Sequence, residues 1–240
     1  MNNREHFGDR PALDKALAAH IAGLLQADID TRGRAGLALS GGSTPKGMFA
    51  ALAQCDIAWQ NVCITLVDER WVAPDHEDSN ERLVREHLLT GHAAAATFVS
   101  LTGDAANAAD GLGEVTARFS DFPLPFTCVV LGMGGDGHTA SWFPKASNLQ
   151  ALIDPANPAL LGTCDPVTAP HQRVTFTLPA VLAAGSIILH ITGTEKRDVL
   201  DAAADQHYPI AAVTEQHDNP VTTWWAPDDR FTIKRHYPTH

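Results

Sequence analysis

The stretch Gly132-Met133-Gly134-Gly135-Asp136-Gly137-His138 places an acid two residues before a histidine, directly after an apolar run. An imidazole titrates near neutrality, so it can take a proton from a nucleophile and return it to a leaving group. A neighbouring carboxylate can orient the ring, as the third member of a catalytic triad does. A lone histidine is more often structural and the chain holds 12, so the glycine-rich loop, not the residue type, singles out His138. A second stretch, Ser40-Gly41-Gly42-Ser43-Thr44-Pro45, also follows an apolar run. Glycines let a backbone approach a ligand closely, and free N–H groups at a helix start favour phosphate. Thr44 and Pro45 are expected as N-cap and first residue of the helix. Two glycines and two hydroxyls exceed what a plain turn needs, which points to Gly41, Gly42, Ser43 and Thr44 as an anion-binding turn.

Three more groups have a functional and a bland reading. Asp68-Glu69-Arg70 ends another apolar run, either as a solvated strand exit or with Asp68 and Arg70 reaching a site. In Thr192-Gly193-Thr194-Glu195-Lys196 a lysine falls in the first turn of a helix, where the dipole prefers anions. Lys196 is either an exposed surface lysine or the partner of an anion bound there. Arg173, opening a β-like run, either joins the site or pairs with a carboxylate at the core edge.

These groups need a scaffold. Strands are expected at 36–40, 62–67, 126–131, 173–177 and 186–192, and helices at 11–28, from about 46, and at 80–89, 104–119, 178–183 and 195–204. The alternation argues a mainly parallel sheet flanked by helices. In such sheets ligands bind in the crevice at the carboxyl ends of the strands, which is where the anion turn, the acid–Arg triplet, the histidine loop and Lys196 fall. Residues 144–170, rich in Pro and Asn, read as loops with one short strand near Leu160, and the tail after Asn219 has no clear assignment. Gly132, Gly134 and Gly137 match a dinucleotide-binding GxGxxG, but Pro144 would interrupt the required helix and the acid at suitable distance, Asp154, lies in a Pro-rich loop.

At 240 residues with 45% hydrophobic and 19% charged side chains, the chain reads as one domain, 1–240. Its 28 acids against 17 bases give −11, which disfavours nucleic acid and anionic membrane as partners. An anionic substrate would need a local cluster of cations and amides. The four cysteines form no CxxC pair and the first ten residues are polar, so a cytoplasmic protein with reduced thiols is expected. No HExxH, Walker, GxSxG or paired Cys/His pattern occurs, which disfavours a metal site. The sequence leaves monomer and small homo-oligomer open.

The pieces LALSGGSTPKGMF (37–49), VDERWV (67–72), SN (79–80), VVLGMGGDGHTASWFP (129–144), RVTFTLPAV (173–181) and ITGTEKRDVL (191–200) resemble the 6-phosphogluconolactonase family, relatives of the glucosamine-6-phosphate deaminases. The resemblance implies a three-layer Rossmann-like α/β domain with a mainly parallel sheet, NagB/RpiA/CoA-transferase-like. It also implies a phosphosugar lactone as substrate, hydrolysis to 6-phosphogluconate in the oxidative pentose phosphate pathway, and no cofactor. On that reading the phosphate rests on residues 41–44 with Lys196 and Arg70, His138 is the base and Asp136 orients it or meets sugar hydroxyls. The deaminases carry a Glu five positions after the loop His and a Tyr ending the triplet, where this chain has Phe143 and Arg70. That departure favours lactone hydrolysis over a deaminase-type isomerase, while a non-catalytic sugar-phosphate sensor is a further alternative. Two segments depart from the lactonase pattern: Trp142 stands where Leu is usual, and VTTWW (221–225) matches poorly.

Overall fold

The computed structural model describes residues 3–228; Met1, Asn2 and residues 229–240, the ends of the expected 1–240 domain, lie outside the described residues. In chain order the elements are β1 (Asn3–His6), α1 (Arg10–Arg32), β2 (Ala35–Leu39), α2 (Lys46–Leu52), β3 (Val62–Leu66), β4 (Asp68–Arg70), α3 (Asn80–His87), β5 (Thr97–Phe98) and α4 (Ala108–Ala117). They continue with β6 (Cys128–Leu131), α5 (Leu149–Leu152), β7 (Leu161–Cys164), β8 (Arg173–Phe176), α6 (Leu178–Leu182), β9 (Ile187–Thr192), α7 (Thr194–Asp201), α8 (Ala211–Thr214) and β10 (Thr222–Ala226).

Among the described residues, seven strands form one sheet in the order β1-β10-β9-β6-β2-β3-β5, and every pairing in it is parallel. All five residues of β2 and of β3 are buried, so both faces are covered and the expected three layers result. α1 shows how locally consistent the sequence is. Asp9 caps it by accepting the Ala12 N–H at 2.8 Å, Gly33 ends it in the left-handed region (φ 79), and Leu13, Leu17, Ile21 and Leu25 form its buried stripe.

After β2 the chain moves outward to β3, whereas β6 and its successor β9 lie on the other side of β2. The loops leaving β2 and β6 therefore part at the switch point of the sheet, where α/β folds open a crevice. The two loops are tied there, Ser40 Oγ accepting the Gly132 N–H at 2.9 Å.

Several elements differ from the sequence-based expectation. The 62–67 run leaves the main sheet after Leu66, and Asp68–Arg70 is a strand of its own rather than a solvated exit. It pairs antiparallel with β8, which pairs with β7, in a three-stranded sheet. The 173–177 strand thus belongs to this smaller sheet. A short helix, α5, falls in the stretch expected to be loops, and β1 and α8 were not anticipated. The segment after Asn219 supplies β10, which sits between β1 and β9. Among the described residues no helix is long and apolar enough to cross a membrane.

Candidate active site

A cleft of about 270 Å³ opens over the switch point. Its lining includes Gly41, Gly42, Ser43, Thr44, Asp68, Arg70, His138, Arg173 and Lys196, so residues spread over 155 positions share one space. Asp136 does not line the cleft; it stands behind His138.

The histidine loop depends on close backbone approach. A Cβ on Gly134 would fall 2.1 Å from His138 Nδ1, and one on Gly137 (φ 75) would fall 2.4 Å from Tyr208 Cβ. Asp136 Oδ1 accepts the His138 backbone N–H at 3.2 Å and stands 2.5 Å from Nδ1. With Nδ1 carrying its proton toward Asp136, Nε2 is left as the acceptor. Burial alone would raise the Asp136 carboxyl, but the charge and hydrogen bonds of His138 outweigh it and hold the group below its usual range. Phe143 lies against the imidazole, ring centroids 4.3 Å apart, and the Arg173 guanidinium carbon is 5.6 Å from the same phenyl ring. No helix follows this loop before Leu149, which removes the dinucleotide-type geometry. Trp142 is fully buried and donates its indole N–H to the Phe176 carbonyl at 2.9 Å, a pillar under the loop.

In the glycine-rich turn after β2, a Cβ on Gly41 would fall 1.9 Å from Asn80 Oδ1, and Gly42 is left-handed (φ 89). The expected Thr44 cap is not formed. Helical bonding starts at the Pro45 carbonyl, which accepts the Phe49 N–H at 2.8 Å, so the cap position falls on Pro45, which has no side-chain acceptor. The Thr44 carbonyl instead faces Arg10 Nη2 at 3.4 Å.

Strand alternation sorts the triplet: Asp68 and Arg70 share the cleft face of β4, and Glu69 points the other way. The buried Glu69 carboxylate accepts the N–H groups of Arg70, Asn80 and Glu81 and the Ser79 hydroxyl, closing the start of α3. Asp68 Oδ2 accepts the Ser141 hydroxyl at 2.6 Å and lies 4.0 Å from Arg173 Nη1. Arg173 therefore does both things the sequence allowed, lining the cleft and facing a carboxylate, and burial pulls its pKa below the usual arginine value. Arg70 donates Nη1 to the Asp78 carbonyl at 2.5 Å, while its buried Nε has no partner among the described residues.

Lys196 stands in the first turn of α7, half-buried, and burial lowers its pKa against the pull of Glu195 and Asp136. Its helix begins after the left-handed Gly193, and β10 holds that residue: the Gly193 N–H donates to the Ala226 carbonyl at 2.9 Å and the Trp225 indole to the Gly193 carbonyl at 2.8 Å.

Of three further cleft residues, Ser40 opens the glycine-rich stretch and Asn80 ends the SN piece (79–80) without being singled out as candidates, and His190 belongs to neither. Asn80 reaches it from α3, donating Nδ2 to the Asp68 carbonyl at 3.3 Å, and Ser40 and His190 line it as well. His190 is 3% exposed and burial pushes its pKa down to about 4. The strand is buried on both faces and Ile191 and Thr192 line the cleft beside His190, so alternation gives no signal for it.

The family model described as glucosamine-6-phosphate isomerases/6-phosphogluconolactonase matches residues 8–225. A 6-phosphogluconolactonase of Mesorhizobium japonicum is 44% identical over 94% of this chain and 95% of its own length. One of Rhizobium meliloti is 40% identical over 95% and 100%. The crystal structure of a 6-phosphogluconolactonase from Shewanella baltica superposes with a TM-score of 0.91 at 42% identity, covering 94% of this chain and 98% of that one. The chain belongs to the glucosamine-6-phosphate isomerase/6-phosphogluconolactonase family.

Proposed function

We propose that this chain is a carboxylic ester hydrolase that converts 6-phospho-D-glucono-1,5-lactone to 6-phospho-D-gluconate, with His138 as its general base. The observation that carries the assignment of the base is the 2.5 Å contact of His138 Nδ1 with Asp136, which leaves Nε2 for a water in a cleft shared with Arg70 and Lys196. That Nε2 takes a proton as the water oxygen bonds to the lactone carbonyl carbon. When the bond from that carbon to the ring oxygen breaks, the same proton passes to the ring oxygen, giving the open acid. Loop amides near Gly134 are the candidate donors to the developing oxyanion.

The phosphate rests on the backbone of Gly41, Gly42, Ser43 and Thr44 and against Lys196 and Arg70. The buried Nε of Arg70, without a partner among the described residues, supports this, since a buried donor calls for an acceptor. This local cluster answers the −11 net charge. Asp68 and Arg173 form the wall that meets the sugar hydroxyls. The reaction as proposed draws on side chains, backbone amides and water, within one domain; a cytoplasmic location fits the four free cysteines.

A deaminase-type reaction is the second reading, and Phe143 speaks against it: an apolar ring stacks on His138 where proton shuttling would need a carboxylate. The test is a coupled assay for 6-phosphogluconate formation with the spontaneous rate subtracted, run beside an assay for ammonia from glucosamine-6-phosphate. Wild type should open the lactone and release no ammonia, and His138→Ala should lose about 10²–10⁴-fold in kcat. Binding without accelerated lactone opening would make the chain a sensor instead.

A further inference from the structure

Beside the cleft, three side chains from two loops converge. His76 and Asp78 lie between β4 and α3, and His171 lies between β7 and β8. His171 Nε2 is 2.9 Å and His76 Nδ1 is 3.9 Å from Asp78 Oδ2. The two imidazoles meet edge-on with centroids 5.4 Å apart, and one donor atom from each of the three residues lies within 4.8 Å of the others. None of the three lines the 270 Å³ cleft.

We propose that His76, Asp78 and His171 bind one divalent transition metal of the zinc class. Two imidazoles and a carboxylate form a donor set that suits zinc, nickel or copper, whereas magnesium and calcium favour oxygen alone. Metal–ligand bonds of about 2.0–2.1 Å in tetrahedral array put neighbouring donor atoms roughly 3.3 Å apart. The 2.9 and 3.9 Å separations from Asp78 bracket that value and all three donor atoms lie within 4.8 Å, so side-chain rotations that draw the two imidazoles together close the site. His76 Nδ1 is unprotonated, since it accepts the Asp78 backbone N–H at 3.0 Å, and metal binding exchanges that hydrogen bond for a coordinate bond through the same lone pair. Side-chain exposures of 40%, 43% and 28% leave an entry path and room for a water as fourth ligand.

The backbone links this site to the cleft. The Asp78 carbonyl accepts Arg70 Nη1, and the His171 carbonyl accepts Arg173 Nε at 3.3 Å. Both cleft arginines are thus anchored on residues that would hold the metal. Loading the site fixes the two loops to each other and stiffens Arg70 and Arg173, a coupling that rests on the roles proposed for those arginines above. None of this is visible as a sequence motif, because His171 is 93 positions from Asp78.

The test uses the full chain freed of metal by a chelator. Calorimetric titration with zinc chloride should show one equivalent bound, and cobalt(II) should give a visible absorption band. His76→Ala and His171→Ala should each weaken zinc binding at least about ten-fold, with metal-free turnover of His76→Ala equal to wild type. Zinc should lower the KM of wild type for the lactone and leave that of His76→Ala unmoved. Absence of binding, or binding undiminished in both variants, overturns the site; a wild-type KM indifferent to bound zinc overturns the coupling. Calorimetry needs no turnover, so failure of the lactonase reading is distinguishable from failure of the site.

Discussion

The His138 imidazole lies nearly flat on the Phe143 ring, with centroids 4.3 Å apart and planes inclined at 27°. With Asp136 holding one ring edge, the phenyl face leaves the imidazole little freedom except to present Nε2 to the cleft. An aromatic pair of this kind is worth about 0.5–1.5 kcal/mol beyond its buried area. Phe143→Ala should therefore lower kcat by roughly 2- to 10-fold through loss of ring orientation, with KM nearly constant. An unchanged kcat in the coupled assay would show that Asp136 alone suffices to orient the ring.

Gly134 offers a sharper test because its missing Cβ is occupied space. The added methyl would fall 2.1 Å from His138 Nδ1 and 2.7 Å from Asp136 Oδ1. Gly134→Ala should displace the ring and cut kcat by an amount approaching that of His138→Ala. The melting temperature should move much less, since both clashing side chains are partly exposed. Wild-type kinetics in this variant would remove the loop geometry from the mechanism.

Lys196 should act on affinity. Its charge is lost as pH rises, and because burial lowers its pKa, the loss comes at lower pH than for an ordinary lysine. The dissociation constant of 6-phosphogluconate, measured by calorimetry to avoid spontaneous lactone opening, should rise on the alkaline side. Lys196→Arg, which stays charged, should flatten that rise, and Lys196→Ala should bind weakly at every pH. A wild-type alkaline limb identical to that of Lys196→Arg would assign the titration to another group.

His190 links the cleft floor to acid stability. Burial lowers its pKa from 6.5 to about 4, so the folded state disfavours the charged ring. Its contribution is present above pH 6.5 and is lost as pH falls toward 4, amounting to about 3 kcal/mol over that interval. His190→Gln cannot charge. Urea denaturation at pH 7 and pH 4.5 should show wild type losing more stability than the variant, and equal losses would contradict the buried neutral ring.

Much of this was legible in the sequence because local signals agreed with the global fold. The β2 and β6 runs are apolar throughout, the leucines and isoleucine of α1 recur at helical spacing, and the glycines of the two loops mark backbone that must approach something closely. Thr44 misled because an N-cap residue followed by proline resembles a helix start, although the helical bonding begins at Pro45. Nothing in the sequence sets Asp68–Arg70 apart as a strand of its own, because a three-residue strand has too few alternations to announce itself. β1 was invisible for a different reason: all four of its residues are exposed, as suits a polar edge strand, so no apolar period marks it. The partnership of Asp68 with Ser141, and of Asn80 with Gly41, is tertiary and leaves no trace in spacing.

The placement of β10 between β1 and β9 has a consequence for biosynthesis. β1 pairs along one side with β10 and with no other described strand, so it must wait for a strand synthesised much later. At about 5–20 residues per second, the 216 positions from His6 to Thr222 impose a delay on the order of 10–40 s. Until then β9 presents a bare hydrogen-bonding edge and Gly193 lacks the strand that holds it. Completion of the lysine side of the cleft is therefore gated by arrival of the Trp224-Trp225 pair.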